Sequence, residues 1–162
     1  MTSPEPTTEP GPDQPPRPSG AADGALYDAV AVEHGIIYGY GLVSAHSTPD
    51  DNWLVATSIS MHRERREAAI AMLQARGVAP PLPAAGYELP QPVESPDDAA
   101  RLAVQMEEDA ATAWRAVVEQ ASASEDRAFG VTALTQSAVA AAQWTQILGD
   151  RPVTVAFPGG NE

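Results

Sequence analysis

Residues 78–94, Val78-Ala79-Pro80-Pro81-Leu82-Pro83-Ala84-Ala85-Gly86-Tyr87-Glu88-Leu89-Pro90-Gln91-Pro92-Val93-Glu94, decide the topology of this chain. The prolines at 80, 81, 83, 90 and 92 exclude a helix, because each lacks the amide hydrogen that a helix interior uses. An extended proline-rich segment rises about 3.1 Å per residue, so this one reaches on the order of 50 Å. Helical patterns flank it on both sides, and a helix of about 24 residues is only about 36 Å long. The segment can therefore traverse a whole bundle and set the helices before and after it parallel. A loose loop in an up-and-down bundle is the alternative.

The helix before it opens at Thr48-Pro49-Asp50-Asp51, with a threonine cap, a proline in the first turn and two acids, and stops at Gly77. The helix after it opens with the same chemistry, Ser95-Pro96-Asp97-Asp98, and runs to about Gln120. Two more helical patterns lie outside these. One runs from about Ala25 to Ser44 with Leu26, Val30, Ile37 and Tyr40 at helical spacing. The other follows Ser124-Glu125-Asp126 and ends at Gly149. Short links near Ser47 and Ala123 make each outer helix an antiparallel hairpin with its neighbour. The expected fold is all-α, a four-helix bundle of two antiparallel hairpins joined by one long proline-rich crossover, the ferritin-like arrangement.

The chain has 162 residues, enough for one core. Residues 1–22 hold seven prolines and no large aliphatic side chain beyond Met1, and are expected to form a disordered acidic arm. The bundle is expected over 23–150 and an extended tail over 151–162. Acids number 22 and basic residues 9, all arginine, for a net charge of −13. That balance argues against nucleic acid and against an anionic membrane surface. The absence of cysteine excludes disulfides, thiolate chemistry and sulfur-ligated metals. No signal peptide or membrane span is evident, so a cytoplasmic protein is expected.

Each helix carries one polar residue on its apolar stripe. In the first, Glu33 stands between Val30 and Ile37; a carboxylate there loses water and needs a partner, a proton or a metal. In the second, His62 lies on the face of Val55, Ile59, Arg66, Ala69 and Leu73. In the third, Glu107 shares a face with Ala103, Ala110 and Trp114. In the fourth, Gln136 holds the equivalent place between Ala133 and Ala140. Plainer readings stand beside these. Glu33 can form a structural ion pair with Arg66 or Arg63, His62 can be a rim residue, Glu107 part of a solvated acidic run, and Gln136 a buried hydrogen bond. His34, about 100° away from Glu33, is expected to be half exposed. Gly35, Gly39 and Gly41 mark either a close approach by a neighbour or an irregular helix. The tail Val153–Pro158 has one sticky face, expected to pack on its own bundle or, failing that, on a second subunit.

The segment Ala31-Val32-Glu33-His34-Gly35-Ile36-Ile37-Tyr38-Gly39-Tyr40-Gly41 resembles a ferritin-like family of unknown function from high-GC bacteria. So do His62-Arg63 with Arg65-Arg66-Glu67, Gly86-Tyr87-Glu88-Leu89-Pro90, Trp114 and Thr154-Val155-Ala156-Phe157-Pro158-Gly159. The resemblance covers about Leu26 to Gly159 and carries no activity with it. The wider superfamily binds two metals with a glutamate on each of two helices and Glu-x-x-His on each of the other two. By that resemblance Glu33, His62 and Glu107 are the candidate metal ligands and iron the candidate metal. Ile59 stands where the second helix would carry glutamate, and Gln136 and Val139 replace the ligands of the fourth. No catalytic residue stands out. The expected function is a non-catalytic structural or interaction role, with a homodimer as the expected assembly. The alternative is a metal-dependent oxidoreductase or hydroxylase on the reduced site, near Tyr38 or Tyr40. Iron storage is the weakest reading, since no oxidation centre or cage-forming surface is evident.

Overall fold

The computed structural model describes residues 14–160, which form four long helices and, among the described residues, no strand. These are α1 (Ala21–His46), α2 (Asn52–Ala75), α3 (Pro96–Gln120) and α4 (Ser124–Leu148). A single 3-10 turn, Pro49–Asp51, leads into α2. Thr48 does not cap that turn through an amide; its hydroxyl donates to Asp51 instead. At Ser95 the expected cap forms. Its Oγ accepts from the Asp98 amide at 3.1 Å and donates to the Asp98 carboxylate at 2.7 Å. Those hydrogen bonds, with the one from the Glu94 amide, hold the Asp98 carboxyl below its ordinary pKa. α2 is closed just beyond its end by Gly77 (φ +71°), where the amides of Gly77 and Val78 return to the carbonyls of Gln74 and Leu73. Gly149 (φ +75°) closes α4 in the same manner.

Cross-helix contacts fix the directions. Glu33 meets Trp114 while Tyr40 meets Glu107, so α1 and α3 are antiparallel. His62 meets Glu33 while Arg76 meets Asp23, so α1 and α2 are antiparallel as well. It follows that α2 and α3 run parallel, and residues 76–95 travel from one end of the bundle to the other. That segment is not a loose loop. His34 is buried, not half exposed, because its Nε2 donates to the Pro81 carbonyl at 3.1 Å. Tyr87 lies over Gly35 and packs on Tyr38 with ring centroids 5.3 Å apart, while Leu89 and Val93 lean on the core.

α1 packs on α2 and α3 and is overlain by the crossover, so it is buried on more than one side. Its glycines are part of a continuous helix. A Cβ on Gly39 would strike the Met106 thioether of α3, which identifies the close-approach reading as the one that holds there. Gly41 faces open space.

The disordered arm expected over 1–22 lies outside the described residues as far as residue 13. The next residues have partners: Arg17 forks onto Asp28 at 2.8 and 3.0 Å, Tyr27 donates to the Pro15 carbonyl, and α1 already begins at Ala21. At the other end the tail folds back on its own bundle, where Gly159 (φ +73°) sits against the Ala111 carbonyl of α3. Among the described residues no helix is long and apolar enough to cross a membrane.

Candidate functional site

At mid-height the four helices turn polar side chains toward one another. Glu33 and Tyr40 are seven apart on α1; Glu107 and Trp114 are seven apart on α3. Seven residues are close to two turns, so each pair shares a face. Because the helices are antiparallel, Glu33 is opposite Trp114 and Tyr40 opposite Glu107. The Trp114 indole N–H donates to Glu33 Oε1 at 2.7 Å, and the Tyr40 hydroxyl donates to Glu107 Oε1 at 2.6 Å. His62 enters between the two carboxylates from α2. Its Nδ1 lies 2.6 Å from Glu33 Oε2 and its Nε2 lies 3.0 Å from Glu107 Oε1. All three residues are completely buried.

Between two ionised carboxylates an imidazole makes both hydrogen bonds only as the imidazolium, since a neutral ring has one N–H. Burial opposes the charge on His62, but the hydrogen bonds to Glu107 and Glu33, and then their negative charges, outweigh it and raise its pKa. Tyr40 moves the other way in charge. Burial, with Glu107 beside it, raises its pKa well above the phenol value, so it stays neutral and serves as a donor. Trp144 of α4 completes that arm by donating to the Tyr40 oxygen at 3.0 Å.

A second cation belongs to the cluster. Arg65, three residues after His62, is buried on the same face of α2. Its Nε lies 3.1 Å from Glu33 Oε1, an ion-pair contact not aligned as a hydrogen bond. One terminal nitrogen, Nη1, donates to the Ala133 carbonyl at 2.7 Å and to Ser137 Oγ at 2.9 Å, joining α2 to α4. The other, Nη2, lies 3.0 Å from His62 Nδ1. With Nδ1 donating to the nearer Glu33 oxygen, at 2.6 Å, this is a contact between two donors, and the Glu33 carboxylate that both cations face offsets their repulsion. The guanidinium also stands 5.8 Å from the Trp114 ring centre. In formal charge the cluster is balanced, with two carboxylates against an imidazolium and a guanidinium. Glu107 Oε2 is a buried oxygen with no partner among the described residues.

The structure brings Glu33, His62 and Glu107 together, as the sequence suggested, but with the imidazole wedged between the carboxylates. Its two nitrogens point at oxygens instead of sharing a common centre with them. Among the described residues no group of three or more His, Cys, Asp or Glu side chains is arranged to hold a metal ion. Arg65 adds a fixed positive charge beside Glu33. As arranged, this donor set does not fit iron.

Two sequence expectations miss by one or two positions. The partner of Glu33 is Arg65, not Arg66 or Arg63; Arg66 forks onto its neighbour Glu67 at the surface. The inward polar residue of α4 is Ser137, while Gln136 is exposed. Tyr38, half exposed against Tyr87, lies outside the cluster, whereas Tyr40 is in it. The missed signal in α2 is the spacing of Ser58, His62, Arg65, Ala69 and Leu73, all buried.

Comparison with known proteins places this arrangement without giving it an activity. A crystal structure of a conserved hypothetical protein, rv2844, from Mycobacterium tuberculosis is similar to this chain at 58% identity, covering 81% of this chain and 99% of that one, with a TM-score of 0.79. No curated protein matches. A family model described as a domain of unknown function (DUF4439) matches residues 25–162. That span takes in Glu33, Tyr40, His62, Arg65, Glu107, Trp114, Ser137 and Trp144, and the chain belongs to this family.

Proposed function

We propose that this protein is a ferritin-like bundle in which a charge-balanced hydrogen-bond network stands in place of a metal centre. Its role is structural or interaction-based rather than catalytic, and its expected partner is a second copy of itself. The parallel course of α2 and α3 supports the ferritin-like relationship, since two hairpins with one crossover define that arrangement. The observation that carries the functional reading is His62, whose two nitrogens both contact carboxylates. A metal at this place would have to take protons from that ring and approach the Arg65 guanidinium. Both steps oppose binding.

The test is aerobic purification with added ferrous iron, followed by metal analysis of the parent chain and of Glu33→Ala. The expected result is substoichiometric iron in both and a melting temperature that iron does not change. Near-stoichiometric iron lost on Glu33→Ala would favour the other reading, an iron-dependent oxidoreductase or hydroxylase built on Glu33, His62 and Glu107.

A further inference from the structure

The crossover does not close onto the bundle along its whole length. Between Tyr87–Pro90, α1 and α3 it leaves a cleft of about 600 Å³, the size of a small-molecule site. The space exists because α1 presents Ala31, Gly35 and Gly39 there, and α3 presents Ala113. A Cβ on Gly35 would stand 3.4 Å from the Tyr87 ring and narrow the cleft. Two of its three walls come from Ala31–Gly41 and Gly86–Pro90, stretches that carry the family likeness in the sequence. Most of the lining is apolar, and Tyr38 and Tyr87 form an aromatic corner with ring centroids 5.3 Å apart. Its charged groups have one sign. Glu88 and Asp109 line it, no arginine or histidine does, and neither carboxylate forms an ion pair among the described residues. Asp109 Oδ1 accepts from the Gln105 side-chain amide at 2.9 Å. The charged side chains of the central cluster do not line this cleft.

We propose that this cleft binds a small organic ammonium ion with an aromatic body. The inference goes beyond the structural role proposed above and stands independently of it. The lining selects this chemistry in three ways. An apolar body displaces water from Leu89, Leu102 and Met106. The Tyr38 and Tyr87 rings attract a cation through the negative potential of their faces. The two carboxylates without ion-pair partners favour the same charge. A ligand bearing a carboxylate or phosphate would meet Glu88 and Asp109 with no cation in the lining to offset them. A neutral apolar ligand would strip water from those carboxylates and give nothing back.

The experiment titrates the full chain with tryptamine and with indole-3-acetate, which share an aromatic body and differ in the sign of their charge. At physiological salt, tryptamine is expected to bind with a Kd below about 1 mM, and indole-3-acetate at least about tenfold more weakly. Amide NMR shifts should move at Gly35 and Gly39, which line the cleft. Glu88→Gln with Asp109→Asn should weaken tryptamine about tenfold, and Tyr38→Leu about threefold. Glu125→Gln with Asp150→Asn removes the same charge from exposed positions outside the cleft and should leave binding unchanged. No tryptamine binding up to about 5 mM would overturn the proposal. So would equal binding of indole-3-acetate, or shifts that leave Gly35 and Gly39 unmoved. An equal loss in the Glu125/Asp150 pair would reduce the effect to general attraction of cations by an acidic protein, and would overturn the cleft as its site.

Discussion

Glu33 Oε2 and His62 Nδ1 lie 2.6 Å apart with no solvent on either side chain. A contact this short between fully buried groups is a charge-assisted hydrogen bond, and its energetic value depends on what surrounds it. Here the second carboxylate, Glu107, takes the opposite nitrogen, and Arg65 balances the remaining charge. The pair is therefore one link in a network spanning all four helices.

Removing the central cation leaves two buried carboxylates facing one guanidinium. His62→Phe, which keeps most of the ring volume, is expected to lower unfolding free energy by about 3–5 kcal/mol in urea denaturation. A loss below about 1 kcal/mol would mean that the carboxylates do not need the imidazolium.

The raised pKa of His62 sets a direction for pH dependence. In the folded chain the ring holds its proton above the pH at which the unfolded ring releases it. Its stabilisation is then fully present below about pH 6.5 and is lost as pH rises through the folded value. Urea midpoints of the parent chain should fall on the alkaline side, and His62→Phe should flatten that fall. His34 acts oppositely. Burial lowers its pKa, so its share of stability is present above the unfolded value and lost as pH falls through the folded one. His34→Gln is the control that should change only the acid limb.

The two buried tryptophans donate to acceptors of different charge. Trp114 donates to a carboxylate and Trp144 to a phenol oxygen. Trp114→Phe is expected to cost about 1.5–3 kcal/mol through its hydrogen bond, and Trp144→Phe about 0.5–1.5 kcal/mol, beyond any shared loss of packing. Equal losses would show that Glu33 carries no more charge than Tyr40.

Gly39 and Gly41 offer a paired measurement. Alanine is the better helix former by about 1 kcal/mol, so Gly41→Ala, in open space, should stabilise by up to about that amount. Gly39→Ala drives a Cβ into Met106 and should destabilise by about 1–3 kcal/mol instead. Thermal melts of both variants check the sign, and the same sign for both would contradict close packing of α1 on α3.

Much of this architecture is legible in the sequence because a few residues have restricted chemistry. Ser95 and Asp98 can close a helix start, Gly77 and Gly149 can adopt positive φ, and the prolines of 78–94 cannot enter a helix. Glu33, His62 and Glu107 stand out because each interrupts an apolar stripe, and each is indeed fully buried. α4 blunts the same reasoning. Ala133, Ala138, Ala140, Ala141 and Ala142 look alike on every side, so the periodicity can slip by one and exchange Ser137 for Gln136. Arg65 is hidden among Arg63 and Arg66, where charge alone does not distinguish the member facing inward. His34 is buried by the crossover, a neighbour that no helical period reveals.

Nitrogen-15 NMR of the histidine side chains at neutral pH tests the doubly protonated His62 most directly. The expected spectrum shows slowly exchanging N–H protons on both ring nitrogens, each hydrogen-bonded, and the pattern disappears in His62→Phe. A single protonated nitrogen, or a ring nitrogen bound to metal, would contradict the charge-balanced network at the centre of this bundle.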